Sequence, residues 1–158
     1  MDNIYIGGVG STTFGQHSNR TAVDLAVEAS LKAIEDANVE LDKIGTIYLG
    51  NFVSGVLTGQ EVLAGLVAAK LGISGVPATK VEGACASGGI AFRHACMAVA
   101  SGSYEAALAV GVEKMSHAKT SLVTEALNCA LDHEAPAASP RRVCREYPRG
   151  THGAAAIG

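Results

Sequence analysis

The sequence predicts a layered α/β domain, with helices packed on a mixed β-sheet. Two observations carry this reading. Short β-like runs alternate with helix-length apolar periods over residues 1–116, and the run 106–112 is continuously apolar, as a central strand covered on both faces must be. Length agrees, since 158 residues suffice for one domain with a real core.

The elements follow in order. Residues 4–9 read as the first strand. Thr21 and Asp24 have the spacing of a capping box, and Val23, Val27, Leu31 and Ile34 then form one apolar stripe at helical spacing until Asn38 stops it. Residues 45–51 read as the second strand. Residues 61–71 repeat the helical period with Val62, Leu66 and Ala69 on one face, and Gly72 stands where a C-cap belongs. Pro77 opens the third strand. The helix that then runs to Ala100 is apolar or small almost all round, which predicts burial on every side at the centre of the fold. Residues 106–112 supply the fourth strand.

Beyond Leu131 the character changes. Pro136, Pro140 and Pro148 gather there with Arg141, Arg142, Arg145 and Arg149, without a Lys and without a traceable period. The expected organisation is therefore a domain over 1–131 and an atypical, disordered Pro/Arg-rich tail over 132–158. A change of reading frame or an aberrant gene end would produce such a switch.

Composition excludes several function classes. At 48% hydrophobic and 17% charged, with net charge −3, the chain reads as globular and not as a basic nucleic-acid binder. The start Met1-Asp2-Asn3 lacks the basic and apolar regions of a secretory signal, and no uncharged run reaches the roughly 20 residues of a membrane span. Cytoplasmic residence is the expectation. It agrees with Cys85, Cys96, Cys129 and Cys144, which form no C-x-x-C pair and no evident disulfide framework.

Cys85 carries the strongest chemical signal. It lies in Glu82-Gly83-Ala84-Cys85-Ala86-Ser87-Gly88-Gly89, where a strand turns into a helix. The first turn of a helix leaves N–H groups unpaired and carries the positive end of its dipole, a setting that holds a thiolate. The small neighbours leave room for a bulky acyl group at the sulfur. The other cysteines lack such surroundings, and Cys96 and Cys129 read as small hydrophobes.

This run, with Ala98-Val99-Ala100-Ser101-Gly102 and Ala107-Leu108-Ala109-Val110-Gly111-Val112-Glu113-Lys114-Met115-Ser116, resembles the N-terminal half of a thiolase. Ile4-Tyr5-Ile6-Gly7-Gly8-Val9-Gly10 and Ile47-Tyr48-Leu49-Gly50-Asn51 also fall where that family has strands, so the resemblance spans residues 1 to about 131. Its nearest likeness is to the archaeal and lipid-transfer-protein-associated types. A ketoacyl synthase would share the Cys and the fold, but the runs around Cys85 and Glu113 look more like thiolase.

The resemblance implies an acyltransferase of acyl-CoA and lipid metabolism. Cys85 would take an acyl group as a thioester, in a Claisen condensation or its thiolytic reversal, with acyl-CoA and CoA as substrates and no permanently bound cofactor or metal. The Cys85 backbone N–H would serve as an oxyanion donor. It also implies that a second half supplies an activating His, a second Cys and an enolate-binding Asn or His. His17, His94, His117, His133 and His152 lack the Gly-His-Pro context and read as solvated or packed, and Cys144 lacks the glycine-rich run that should follow the second Cys. The chain is thus expected to work with a thiolase-like C-terminal half or as a homodimer, or else to be catalytically silent, without nucleic-acid or membrane partners.

Three weaker patterns are set aside. Gly8-Val9-Gly10 begins like a dinucleotide fingerprint, but the third Gly and the ribose-binding acid are missing. Cys129, His133, Cys144 and His152 match no zinc-site spacing. Glu28, Glu35, Asp36, Glu40 and Asp42 read as a solvated helix face and turn.

Overall fold

Three strands pair in parallel at the centre of the computed structural model, which describes residues 3–132. They are β1 (Ile44–Gly50), β2 (Ala78–Val81) and β3 (Ala106–Gly111), in the order β2-β1-β3. Five helices accompany them: α1 (Ala22–Ala37), α2 (Ser54–Thr58), α3 (Leu63–Leu71), α4 (Ser87–Ala100) and α5 (Thr120–Asn128). The expected α/β layering holds. Every strand pair among the described residues is parallel, so an antiparallel member of a mixed sheet is not found there.

Strand alternation sorts the core onto two faces. Ile47 and Leu49 of β1 and Leu108 and Val110 of β3 are buried with Ala22 and Ala26 of α1 and with Leu63, Ala64, Val67, Ala68 and Leu71 of α3. On the opposite face Tyr48 meets His94 of α4 with ring centroids 5.6 Å apart, and Gly50 lies beneath the first turn of α4.

Local signals in the sequence are realised. Thr21 accepts the Asp24 N–H at 3.1 Å while the Asp24 carboxylate accepts the Thr21 N–H at 2.7 Å, completing the capping box. Asn38 ends α1 in the left-handed region at φ 50°, and Gly72 ends α3 at φ 77°.

Three expectations are corrected and that for α1 is refined. Residues 4–9 form no strand, because no described strand pairs with them. They cross α1 instead, where a Cβ on Gly8 would sit 2.8 Å from Ala37 Cα and one on Gly10 2.5 Å from Ala33 N, so both positions need glycine for close approach. The buried line of α1 is Ala22, Leu25, Ala26 and Ser30, with Val23, Val27 and Ile34 flanking it and Leu31 exposed. Val23, Val27 and Ile34 of the expected stripe therefore pack against the core beside the buried line, and only Leu31 faces away. In α3 the expected face is the outer one: Val62, Leu66 and Ala69 are exposed. Lastly, α4 buries only Ser87, Ala91, Ala95 and Ala98, which face the sheet, while Phe92 and Met97 remain 48% and 52% exposed. One sheet covers one side of a helix, so among the described residues the central helix is not enclosed on every side.

The acidic residues of α1 are also more engaged than a solvated face requires. Glu28 pairs with Arg20 at 2.5 Å and Lys32 at 2.7 Å, and Asp36 accepts the Val9 N–H at 2.9 Å, pinning the crossing segment. The tail expected over 132–158 lies, apart from Asp132, outside the described residues.

Candidate active site

All three strands end at one edge of the sheet, with Gly50 opposite Val81 on one side and Gly111 on the other. Open parallel sheets place ligand crevices at this carboxyl edge. Cys85 lies here, between the end of β2 and the start of α4.

Its turn is built from short-range bonds. Gly83 lies two residues past β2, Ala84 then takes φ 50° in the left-handed region, and Ala84–Ala86 wind into a single 3-10 turn closed by the Ala86 N–H on the Gly83 carbonyl at 3.0 Å. A left-handed alanine costs roughly 1 kcal/mol, so the turn is held by its surroundings. Buried Ser87 supplies much of that hold: its hydroxyl accepts the Gly83 N–H at 3.0 Å and donates to the Ala84 carbonyl at 2.7 Å. The Glu82 carboxylate accepts the Ala84 N–H.

The sequence places Cys85 in the first turn of a helix. The structure places it one step earlier, in the 3-10 turn, with α4 starting at Ser87. Its side chain is exposed, and a Cβ on Gly88 or Gly89 would meet nothing within 4 Å, so the space beside the turn is open. Closeness below comes from Gly50, where a Cβ would press on the Ser87 carbonyl and stand 2.6 Å from Gly88 N.

A polar cluster at the same edge escaped the sequence reading. Asn51 is fully buried; its side-chain amide donates to the Val112 carbonyl at 2.7 Å, and its oxygen accepts the Ser54 N–H at 3.3 Å. The Glu113 carboxylate accepts the N–H groups of Phe52 and Val53. Burial of the carboxylate on one side pushes Glu113 above its ordinary value, against those N–H donors and the charge of Lys80, although the residue keeps an exposed flank. Lys80 is paired with Glu61. Two signals were available: a polar residue directly after β1, and a carboxylate two residues after β3.

The described histidines do not converge on Cys85. The ring nitrogens of His17, His94 and His117 engage the carbonyls of Thr13, Ile90 and Leu57 at 2.8, 2.8 and 3.1 Å. Cys96 is half-buried, and Cys129 is exposed with its thiol on the Glu125 carbonyl at 3.7 Å. His133, Cys144 and His152 lie outside the described residues. What the edge offers is one accessible thiol, in cleared space, on a turn fixed by hydrogen bonds; such a thiol suits exchange with a thioester, whose leaving group is also a thiolate.

Comparison with known proteins identifies the family. The family model of the thiolase N-terminal domain matches residues 4–140. An acetyl-CoA acetyltransferase of Methanocaldococcus jannaschii is 41% identical over 85% of this chain and 34% of its own length. A second, from Methanothermobacter thermautotrophicus, is 43% identical over 73% of this chain and 30% of its own. The chain thus spans about a third of the length of these relatives. Among solved structures, a thiolase from Ascaris suum in complex with coenzyme A superposes with a TM-score of 0.61 over 71% of this chain and 29% of that one, at 22% identity, a likeness of fold alone. The chain belongs to the thiolase family, of which it carries the N-terminal domain.

Proposed function

We propose that this domain forms the acyl-thioester half of a thiolase-type acyltransferase, with Cys85 as the nucleophile and an acyl-CoA as the acyl donor. The observation that carries the reading is the Cys85 turn: an exposed thiol at the carboxyl edge of a parallel sheet, set by the Ser87 bonds and cleared by Gly88 and Gly89. The names of the two archaeal relatives support acetyl-CoA as the first donor to try. In the step itself the Cys85 sulfur attacks the thioester carbonyl, the Cys85 N–H stabilises the oxyanion, and CoA leaves as its thiol, taking up the proton that the Cys85 thiol lost. No stable cofactor takes part.

Completion of the reaction requires a base at the acceptor carbon, and general acid–base catalysis typically contributes about 10²–10⁴-fold. Among the described residues no His or second Cys reaches Cys85 by a hydrogen bond, so the chain by itself is acylated without sustained turnover and works through a thiolase-like C-terminal half. The open face of α4, with Phe92 and Met97, supports such pairing, as does β2 at the sheet edge for a homodimer. No described helix is long and apolar enough to cross a membrane.

Intact-mass analysis after incubation with acetyl-CoA tests the reading. A gain of one acetyl group, absent in Cys85→Ser, is expected. An unmodified wild-type chain, or acetylation that persists in Cys85→Ser, overturns it.

A further inference from the structure

We propose that α2 and α5 open and close as one unit on the sheet edge that bears Cys85, hinged at the ends of β1 and β3 and tethered by Asn51 and Glu113. The apolar packing divides here. Val53, Leu57 and Ala126 form a small buried cluster with Phe52, Met115, Ala118, Val123 and Leu127, and it shares no residue with the main core between the sheet, α1 and α3.

Neither helix is self-sufficient. With 5 and 9 residues, α2 and α5 fall short of the roughly 12–15 that an isolated helix needs, so each depends on the other's apolar face. The His117 ring on the Leu57 carbonyl, at 3.1 Å, adds a polar link inside the unit. Ties to the body of the domain are polar as well: Asn51 to Val112 and Ser54, and Glu113 to Phe52 and Val53. Water replaces hydrogen bonds at a modest net cost, whereas it cannot replace the burial that holds Ile47 and Leu49.

Charge shapes the response to pH. The charged group acting on Glu113 is Lys80 of β2, already paired with Glu61; of the titratable groups that follow it in the chain, Lys114 donates to the Arg20 carbonyl, His117 engages the Leu57 carbonyl, and Lys119 and Glu125 are exposed. The direction of the Glu113 shift means that its ionised form favours release into water, so closure weakens as pH rises through the titration of Glu113.

Hydrogen exchange of the full chain tests the proposal. The amides of Leu57 and of 123–127 should share one protection factor, at least about tenfold below that of Ile47. Glu113→Ala should lower both by about fivefold and leave Ile47 unchanged, and Glu113→Gln, which keeps an acceptor oxygen and carries no charge, should not lower them at a pH where Glu113 is ionised. Unequal protection of α2 and α5 in the wild type, protection of both as high as Ile47, or a Glu113→Ala effect confined to Phe52 and Val53 overturns it. The wild-type comparison stands even if a variant fails to fold.

Discussion

Gly50→Ala probes the seating of the Cys85 turn without touching Cys85. The added methyl would press on the Ser87 carbonyl and lie 2.6 Å from Gly88 N, both backbone atoms that no rotamer change can move aside. Ordinary contact requires β1 and α4 to part by about 1 Å, and overpacking of this kind costs about 2 kcal/mol. Restricting the unfolded chain returns about 0.5 kcal/mol, leaving a net loss near 1.5 kcal/mol, or roughly 5 °C in Tm for a domain of this size. Because Ser87 holds Gly83 and Ala84, displacing it also alters the rate at which Cys85 is alkylated. Urea unfolding and timed iodoacetamide labelling measure the two effects. Gly88→Ala is the control: its methyl meets nothing within 4 Å, so about 0.5–1 kcal/mol should be gained. A Gly50→Ala chain as stable as wild type, with unchanged Cys85 labelling, would refute the described packing of α4 on β1.

Three further outcomes follow from the same structure. Ala84→Gly removes the side chain from a residue at φ 50° and should stabilise the chain by about 1 kcal/mol in urea unfolding; a loss of that size would show that the left-handed conformation is not adopted. Ser87→Ala deletes both bonds of a buried hydroxyl and should cost about 1–3 kcal/mol with altered Cys85 labelling, so a neutral result would remove the stitch. Lys70 foremost, then the backbone and hydroxyl of Thr21, hold the Asp24 carboxyl well below the usual range. A depressed folded-state value gives stability that is present above about pH 4 and is lost as pH falls toward that value. Lys70→Met should therefore move the Asp24 titration upward in carboxyl NMR, and an unmoved titration would contradict the pairing.

How far the sequence could be read depended on the range of each interaction. The Thr21 and Asp24 box and the Gly72 cap are local, and both were legible because a few adjacent residues determine them. The positions of β1, β2 and β3 were legible from apolar runs and Pro77. The face of α3 was not, and that of α1 was legible only in part, since the buried alanines weigh little in a hydrophobic period and exposed larger side chains such as Leu31, Val62 and Leu66 mislead it. Residues 4–9 have strand composition, but a strand exists only with a partner, and pairing is a property of the whole fold. At the candidate site Cys85 stood out because its glycines lie beside it in sequence. Glu113 and Phe52 are 61 positions apart, and α2 has only 5 residues, so neither the polar cluster nor that helix left a periodic trace.

The central claim is that Cys85 is a nucleophile by its setting and not only by its exposure. Cys129 supplies the comparison, because it is also exposed but sits at the end of α5 with its thiol on the Glu125 carbonyl. Limiting iodoacetamide on the folded chain, with peptide mapping over time, measures both thiols and half-buried Cys96 in one experiment. Cys85 is expected to be alkylated first, and denaturation to abolish its advantage. Equal rates for Cys85 and Cys129, or labelling of Cys96 with Cys85 untouched, would contradict it.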